Sequence, residues 1–200
     1  MTPLEQALTD MTLAPYIVKA MALIGVRRKG GSNMFRHQIS TMGILIDYKI
    51  VDSVLLKAAV IHDLFEDAPD MPGVTRDEIT DIDSDGPSVY DLVMEVTMRT
   101  RDGMRESKAE YLTRLMVHGS PRAKVLKLAD RISNLTALGF VHDPKFVRRF
   151  LAETKQFVMP YAADVNPDMH LELSHLIENR EALLAALRTA HEPGSHPGYS

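Results

Sequence analysis

The 200-residue chain contains no cysteine and no tryptophan, and aromatic residues make up only 6% of it. Without cysteine there is no disulfide framework and no thiolate zinc site. Few aromatics set against 12 methionines describe an aliphatic, Met-packed core, more helical than sheet-like. No apolar run reaches the ~18 residues of a membrane span. The opening MTPLEQALTD is acidic and polar where a secretion signal is basic and then apolar. A net charge of −4 argues against a broad nucleic-acid surface. With 45% hydrophobic and 25% charged residues the composition is ordinary for a globular chain, and the length suits one domain. A soluble, cytoplasmic protein with neither nucleic-acid nor membrane partners is the expectation.

Helical periodicity runs through most of the chain. Leu4 to Ile24 is largely apolar, with Pro15 placed to kink or divide it. Arg27 to Asn33 (RRKGGSN) reads as a basic, glycine-rich loop. A second helix is predicted over His37–Tyr48, and a third, capped by Asp52, over Val54–Phe65, ended by Pro69 and Pro72. The acidic segment Val74–Pro87 holds at most a short helix near Arg76–Ile82. Further helices are predicted over Ser88–Thr100, Glu106–Val117, Pro121–Leu138, Asp143 to about Met159, and Met169–Ala190. The tail HEPGSHPGYS (191–200) reads as disordered. No repeats and no alternating strand pairs are visible. One all-α domain over 1–190 is predicted.

With cysteine missing, histidine with aspartate or glutamate is the remaining way to hold a transition metal, and the chain has eight histidines. In KAAVIHDLFEDAPD, four polar residues, His62, Asp63, Glu66 and Asp67, interrupt an otherwise apolar helix. At ~100° per residue they share an arc of about 140°. Three acids and an imidazole on one side of an apolar helix repel and desolvate badly without a cation. A solvated face near a helix end fits that stretch alone equally well. Adding His37 from the preceding helix and Asp130 from KVLKLADRISN gives a two-nitrogen, two-oxygen set with positions left for water and substrate oxygen. Such a set suits Mn²⁺, Fe²⁺ or Zn²⁺ better than Ca²⁺. Taken singly, His37 reads as a helix-start or packing histidine. Asp130, off the Leu128, Ile132 and Leu135 stripe, reads as a solvated carboxylate. His118, His142, His170, His175, His191 and His196 fit no ligand pattern.

In order along the chain, RRK (Arg27–Lys29) precedes His37, HDLFED spans His62–Asp67, Val96-Thr97 follows, and KLADRISN spans Lys127–Asn134. This ordered set resembles the HD superfamily of metal-dependent phosphohydrolases, and within it the hydrolase domain of RelA/SpoT-type alarmone enzymes, especially small alarmone hydrolases. The likeness covers roughly residues 10–165. It implies an HD-domain helical bundle in which His37, His62, Asp63 and Asp130 are metal ligands, usually for Mn²⁺. Glu66 and Asp67 resemble the acidic pair that positions and activates the attacking water. Arg28 and Lys29 match positions around the guanine base, and Asn134 a nucleoside contact. The implied reaction is hydrolysis of the 3′-pyrophosphate of ppGpp or pppGpp to GDP or GTP plus pyrophosphate. The resemblance also implies a cognate alarmone-synthetase toxin as a partner, and leaves self-association open.

Several positions depart from that pattern. Asn33-Met34 stand where the family often has Pro-Tyr, and Gln38 where Pro follows the first histidine. Met98 replaces a common Lys, with Arg99 and Arg101 as nearby substitutes, and Ala137 stands where the family tends to have Thr, with Thr136 adjacent. These departures keep two alternatives open: an HD phosphohydrolase for another nucleotide (pppApp, or the 2′-phosphate of NADPH), and an antitoxin-like nucleotide-binding module. The final helix leaves no room for a synthetase domain, so hydrolysis alone is expected.

Overall fold

Proline, serine, threonine or aspartate marks most helix starts in the computed structural model, which describes residues 1–28, 33–69, 71–140 and 143–189. Thr2 and Glu5 form a capping box on α1 (Pro3–Thr9), and Pro15 lies in the first turn of α2 (Ala14–Ala20). Pro15 therefore opens a helix, because its missing N–H is an orphan there anyway. Leu4–Ile24 is divided, with a 3₁₀ turn at Met21–Leu23. Asn33 caps α3 (Met34–Asp47), and Asp52 caps α4 (Ser53–Ile61) by accepting from the Leu55 N–H.

The third predicted helix does not continue to Phe65. It stops at Ile61, Asp63 takes φ −99°, ψ 1°, and a single turn, α5 (Leu64–Asp67), follows. The local cause is polar. The His62 ring Nδ1 bonds the Ala59 carbonyl at 2.8 Å, and the Asp63 N–H faces Gln38 Oε1 at 3.5 Å. Side chains thus compete with the helical ladder where the apolar pattern gives no warning. The 140° arc of an unbroken helix does not exist here.

Short α6 (Arg76–Thr80) leads to α7 (Gly86–Val96). A two-stranded hairpin, which the sequence reading did not predict, follows: β1 (Thr100–Arg101) pairs with β2 (Met104–Arg105). Its turn residues Asp102 and Gly103 both have positive φ, 51° and 75°, the geometry that suits a two-residue connection. Asp-Gly is a hairpin signal, but the polar flanks hid it. Next come α8 (Lys108–His118) with a Ser107–Glu110 capping box, α9 (Pro121–Ala137) capped by Ser120, α10 (Pro144–Phe157), α11 (Met159–Val165) and α12 (Pro167–Thr189).

Two helices are buried almost all round: α4 from Val54 to Ile61 and α9 from Leu126 to Ser133. α9 packs against α3 and α12, and α4 against α3 and α7. A helix with no solvent side has no free face for its polar residues. Asp130, expected to be solvated if read alone, is accordingly only 6% exposed. Among the described residues no helix is long and apolar enough to cross a membrane. The predicted tail, 191–200, lies outside the described residues.

Candidate active site

Four elements converge at one point. α3 carries His37 and Gln38; the junction after α4 carries His62 and Asp63; α5 carries Glu66 and Asp67; α9 carries Lys127, Asp130, Ser133 and Asn134. The His37 ring lies across α9, its Nε2 3.0 Å from Asp130 Oδ1 and its Nδ1 2.8 Å from Ser133 Oγ. His62 Nε2 lies 3.3 Å from Asp63 Oδ2 and 3.8 Å from Asp130 Oδ1. Asp63 Oδ2 reaches His37 Nε2 at 3.5 Å, and the two rings meet edge-on with centroids 5.1 Å apart. The ligand atoms of His37, His62 and Asp130 all fall within 4.8 Å of one another.

The polar accounting shows what this arrangement needs. His37 Nε2 and His62 Nε2 are buried and have no hydrogen-bond partner, although carboxylate oxygens face both. The Ala59 carbonyl is an acceptor only, so His62 Nδ1 carries a proton and Nε2 is the ring nitrogen turned toward the carboxylates. Burial opposes charge on His62, yet Asp63 and Asp130 raise it to about 10. Burial likewise opposes ionised Asp63 and Asp130, but the imidazoles beside Asp63, and Lys127 with the imidazoles beside Asp130, hold both well below the usual carboxylate range. The pocket is tuned to favour positive charge at its centre. A divalent ion held by two imidazoles and carboxylates meets that demand and uses both orphaned nitrogens.

Around these atoms lies a supporting layer that the sequence reading missed. Gln38, fully buried, donates its amide to Asp63 Oδ2 at 3.1 Å. Ser133 orients His37, and Lys127 Nζ binds Asp130 Oδ2 at 2.6 Å while lying 4.8 Å above the Tyr111 ring. Such partners fix ring and carboxylate orientation in metal sites. Ser133 and Lys127 fall inside the KLADRISN run. Gln38 was visible only as a departure from the family pattern.

The cluster opens onto a cleft of about 650 Å³. Asp67 lines it, and burial together with Asp63 and Glu66 raises its carboxyl to about 6. Glu66 is bound by Arg105 from the hairpin, and its other oxygen faces the Met98 N–H at 3.4 Å. Also lining the cleft, Arg28 binds Asn134 Oδ1, and the Asn134 amide donates to the Asp130 carbonyl at 2.8 Å. Phe146 and Phe150 add aromatic surface. Arg28 and Asn134 are thus brought to the cluster, whereas Lys29 lies outside the described residues. Arg99 and Arg101, read as substitutes for the missing Lys at Met98, instead line a separate depression on the hairpin. His118, His170 and His175 stay out of the cluster, and His142, His191 and His196 are not among the described residues.

Residues 14–160 match the family model described as "HD domain". The chain is 31% identical over 156 residues to a GTP pyrophosphokinase rsh of Brucella ovis, covering 75% of this chain and 20% of that one. It is also 31% identical over 153 residues to the bifunctional (p)ppGpp synthase/hydrolase SpoT of Escherichia coli K12, again covering 20% of it. The chain therefore spans about a fifth of the length of these curated relatives. A solved structure described as a metazoan ortholog of SpoT that hydrolyses ppGpp superposes with a TM-score of 0.68 at 25% identity, covering 84% of this chain and 96% of that one. With the family model spanning most of the chain and the helical bundle shared, the chain belongs to the HD-domain family, and its likeness within that family runs to RelA/SpoT-type hydrolase domains.

Proposed function

We propose that the chain is a divalent-metal-dependent hydrolase that removes the 3′-pyrophosphate of guanosine alarmones, with Mn²⁺ as the ion. The observation that carries this reading is the pair of buried, unpartnered imidazole nitrogens facing two carboxylates, beside an acid pair and a cleft lined by charges of both signs. His37, His62, Asp63 and Asp130 would hold the ion. When bound, the ion supplies Lewis-acid stabilisation of phosphoryl charge and acidifies water.

The chain's own groups do the rest. Water attacks the phosphorus attached to O3′, the O3′–P bond breaks, and the products are GDP or GTP plus pyrophosphate. Glu66 and Asp67 orient that water and take its proton. Asp67, at about 6, lies near the acidity at which one group both accepts and releases protons around neutrality. The Arg28 guanidinium, held by Asn134, offers a flat cationic surface to a purine, and the role of Lys29 at the base rests on the sequence resemblance alone.

The test is phosphorus NMR of the products formed from ppGpp, pppApp and NADPH with Mn²⁺. GDP and pyrophosphate from ppGpp are expected. Retained metal with no turnover of ppGpp would defeat the assignment, and turnover of pppApp or NADPH alone would move it to that substrate.

A further inference from the structure

The hairpin delivers one cation to the cleft, and it is not Arg99 or Arg101, the two that the sequence reading singled out there. Arg105 sits on β2, and its guanidinium binds Oε1 of Glu66. The base of the hairpin is riveted. The Glu106 N–H donates to the Arg99 carbonyl at 2.9 Å, and the Arg99 N–H donates to Glu106 Oε1 at 2.7 Å. Arg114 then grips Glu106 Oε1 at 2.6 Å and the Glu95 carbonyl at 2.8 Å. The backbone under Arg105 is therefore fixed, and only the side chain is free to change partner.

Its present partner holds it weakly. The Arg105 side chain is 53% exposed and that of Glu66 23%, a setting in which an ion pair contributes ~1 kcal/mol or less. Arg27, Lys108 and Arg149 also line the cleft and are exposed, but three of its cations are engaged within the protein. Lys127 is bound to Asp130, Arg28 to Asn134, and Arg131 lies against Phe150 while donating to Thr154. A phosphate accepts two parallel guanidinium bonds and carries more charge than a carboxylate, so it outcompetes Glu66 for Arg105.

Building on the phosphohydrolase reading above, we propose that Arg105 grips a phosphate group of the substrate, and that it rests on Glu66 only until that phosphate takes it. The exchange does two things at once. It anchors a polyphosphate at the hairpin side of the cleft, and it uncovers the Glu66 oxygen that Arg105 occupies. A nucleotide without a phosphate at that position leaves Glu66 covered.

Calorimetric titration of inorganic pyrophosphate into the Mn²⁺-loaded whole chain, together with KM and kcat for ppGpp, tests this. Arg105→Ala should weaken pyrophosphate binding and raise the KM for ppGpp by about 10- to 100-fold, the range of a lost charge-assisted bond. Arg105→Lys should recover part of both, and Arg101→Ala on the same hairpin should change neither. Unchanged pyrophosphate affinity in Arg105→Ala, with only kcat reduced, would mean that Arg105 merely orients Glu66, and would overturn the proposal. A wild-type chain that binds no pyrophosphate would overturn it too. A wild type that binds ppGpp without forming GDP refutes the assigned reaction instead, and leaves the affinity comparison readable.

Discussion

Two clusters of buried charge lie five residues apart along one stretch of chain, at Lys57 and at His62, and they are built on opposite plans. Lys57, 4% exposed, donates to Asp83 Oδ2 and Asp85 Oδ2, each at 2.7 Å. The Tyr16 hydroxyl donates to Asp83 at 2.9 Å, and the Ser53 hydroxyl to Asp85 at 2.6 Å. The charged groups of that cluster find their partners within the chain. At His62 the opposite holds. Lys127 and Gln38 bind the two carboxylates, but the two imidazole nitrogens that face them have no hydrogen-bond partner among the described residues. Both clusters contain an imbalance of acids. A closed cluster holds helices together, and an open one is completed only by a cation from outside.

Substitution should separate the two. The largest effect is expected from Asp130→Ala, which removes a proposed ligand and leaves both histidines facing one carboxylate: metal binding by equilibrium dialysis and turnover should both be abolished. Glu66→Gln should keep the ion but slow turnover by ~10²–10⁴-fold, the span of positioned acid–base groups. A variant with full rate would remove Glu66 from the chemistry.

On the closed side, Lys57→Met should leave metal affinity unchanged yet destabilise the fold by about 1–3 kcal/mol, because Asp83 and Asp85 then face each other without their ammonium. The pH dependence has a definite sign. Burial opposes ionisation of Asp83, but Lys57 and Tyr16 lower it, and bonds from Lys57 and Ser53 lower Asp85. Depressed carboxylates contribute stability that is present above their ordinary value of about 4 and is lost as pH falls through their folded values. Thermal melting of the wild type should therefore fall more steeply below pH ~4 than that of Lys57→Met. The smallest effect is expected at the edge of the open cluster. Gln38→Leu should weaken metal binding by about tenfold through loss of the bond that holds Asp63, with little change in melting temperature.

The motifs made the convergence legible before any coordinates. RRK, HDLFED and KLADRISN stand far apart in the chain, yet His37, His62 and Asp130 lie within ligand distance of one another, with Arg28, Asp63 and Asn134 beside them. Most of the helix starts were equally readable, since caps and prolines announce them. Three features were not. The break at His62–Asp63 arises from side chains bonding backbone groups, which an apolar periodicity does not record. The burial of Asp130 follows from α9 being enclosed by its neighbours, whereas a helical wheel assumes one solvent side. The placement of Arg105, and not Arg99 or Arg101, on Glu66 depends on the twist of a hairpin two residues wide.

The central claim is that the open cluster is a metal site, and the most direct measurement is a calorimetric titration of Mn²⁺ into metal-stripped protein, wild type beside His37→Gln and His62→Gln. One ion per chain in the wild type, lost in both variants, is the predicted result. No binding by the wild type, or binding that persists unchanged when either imidazole is replaced, would contradict it.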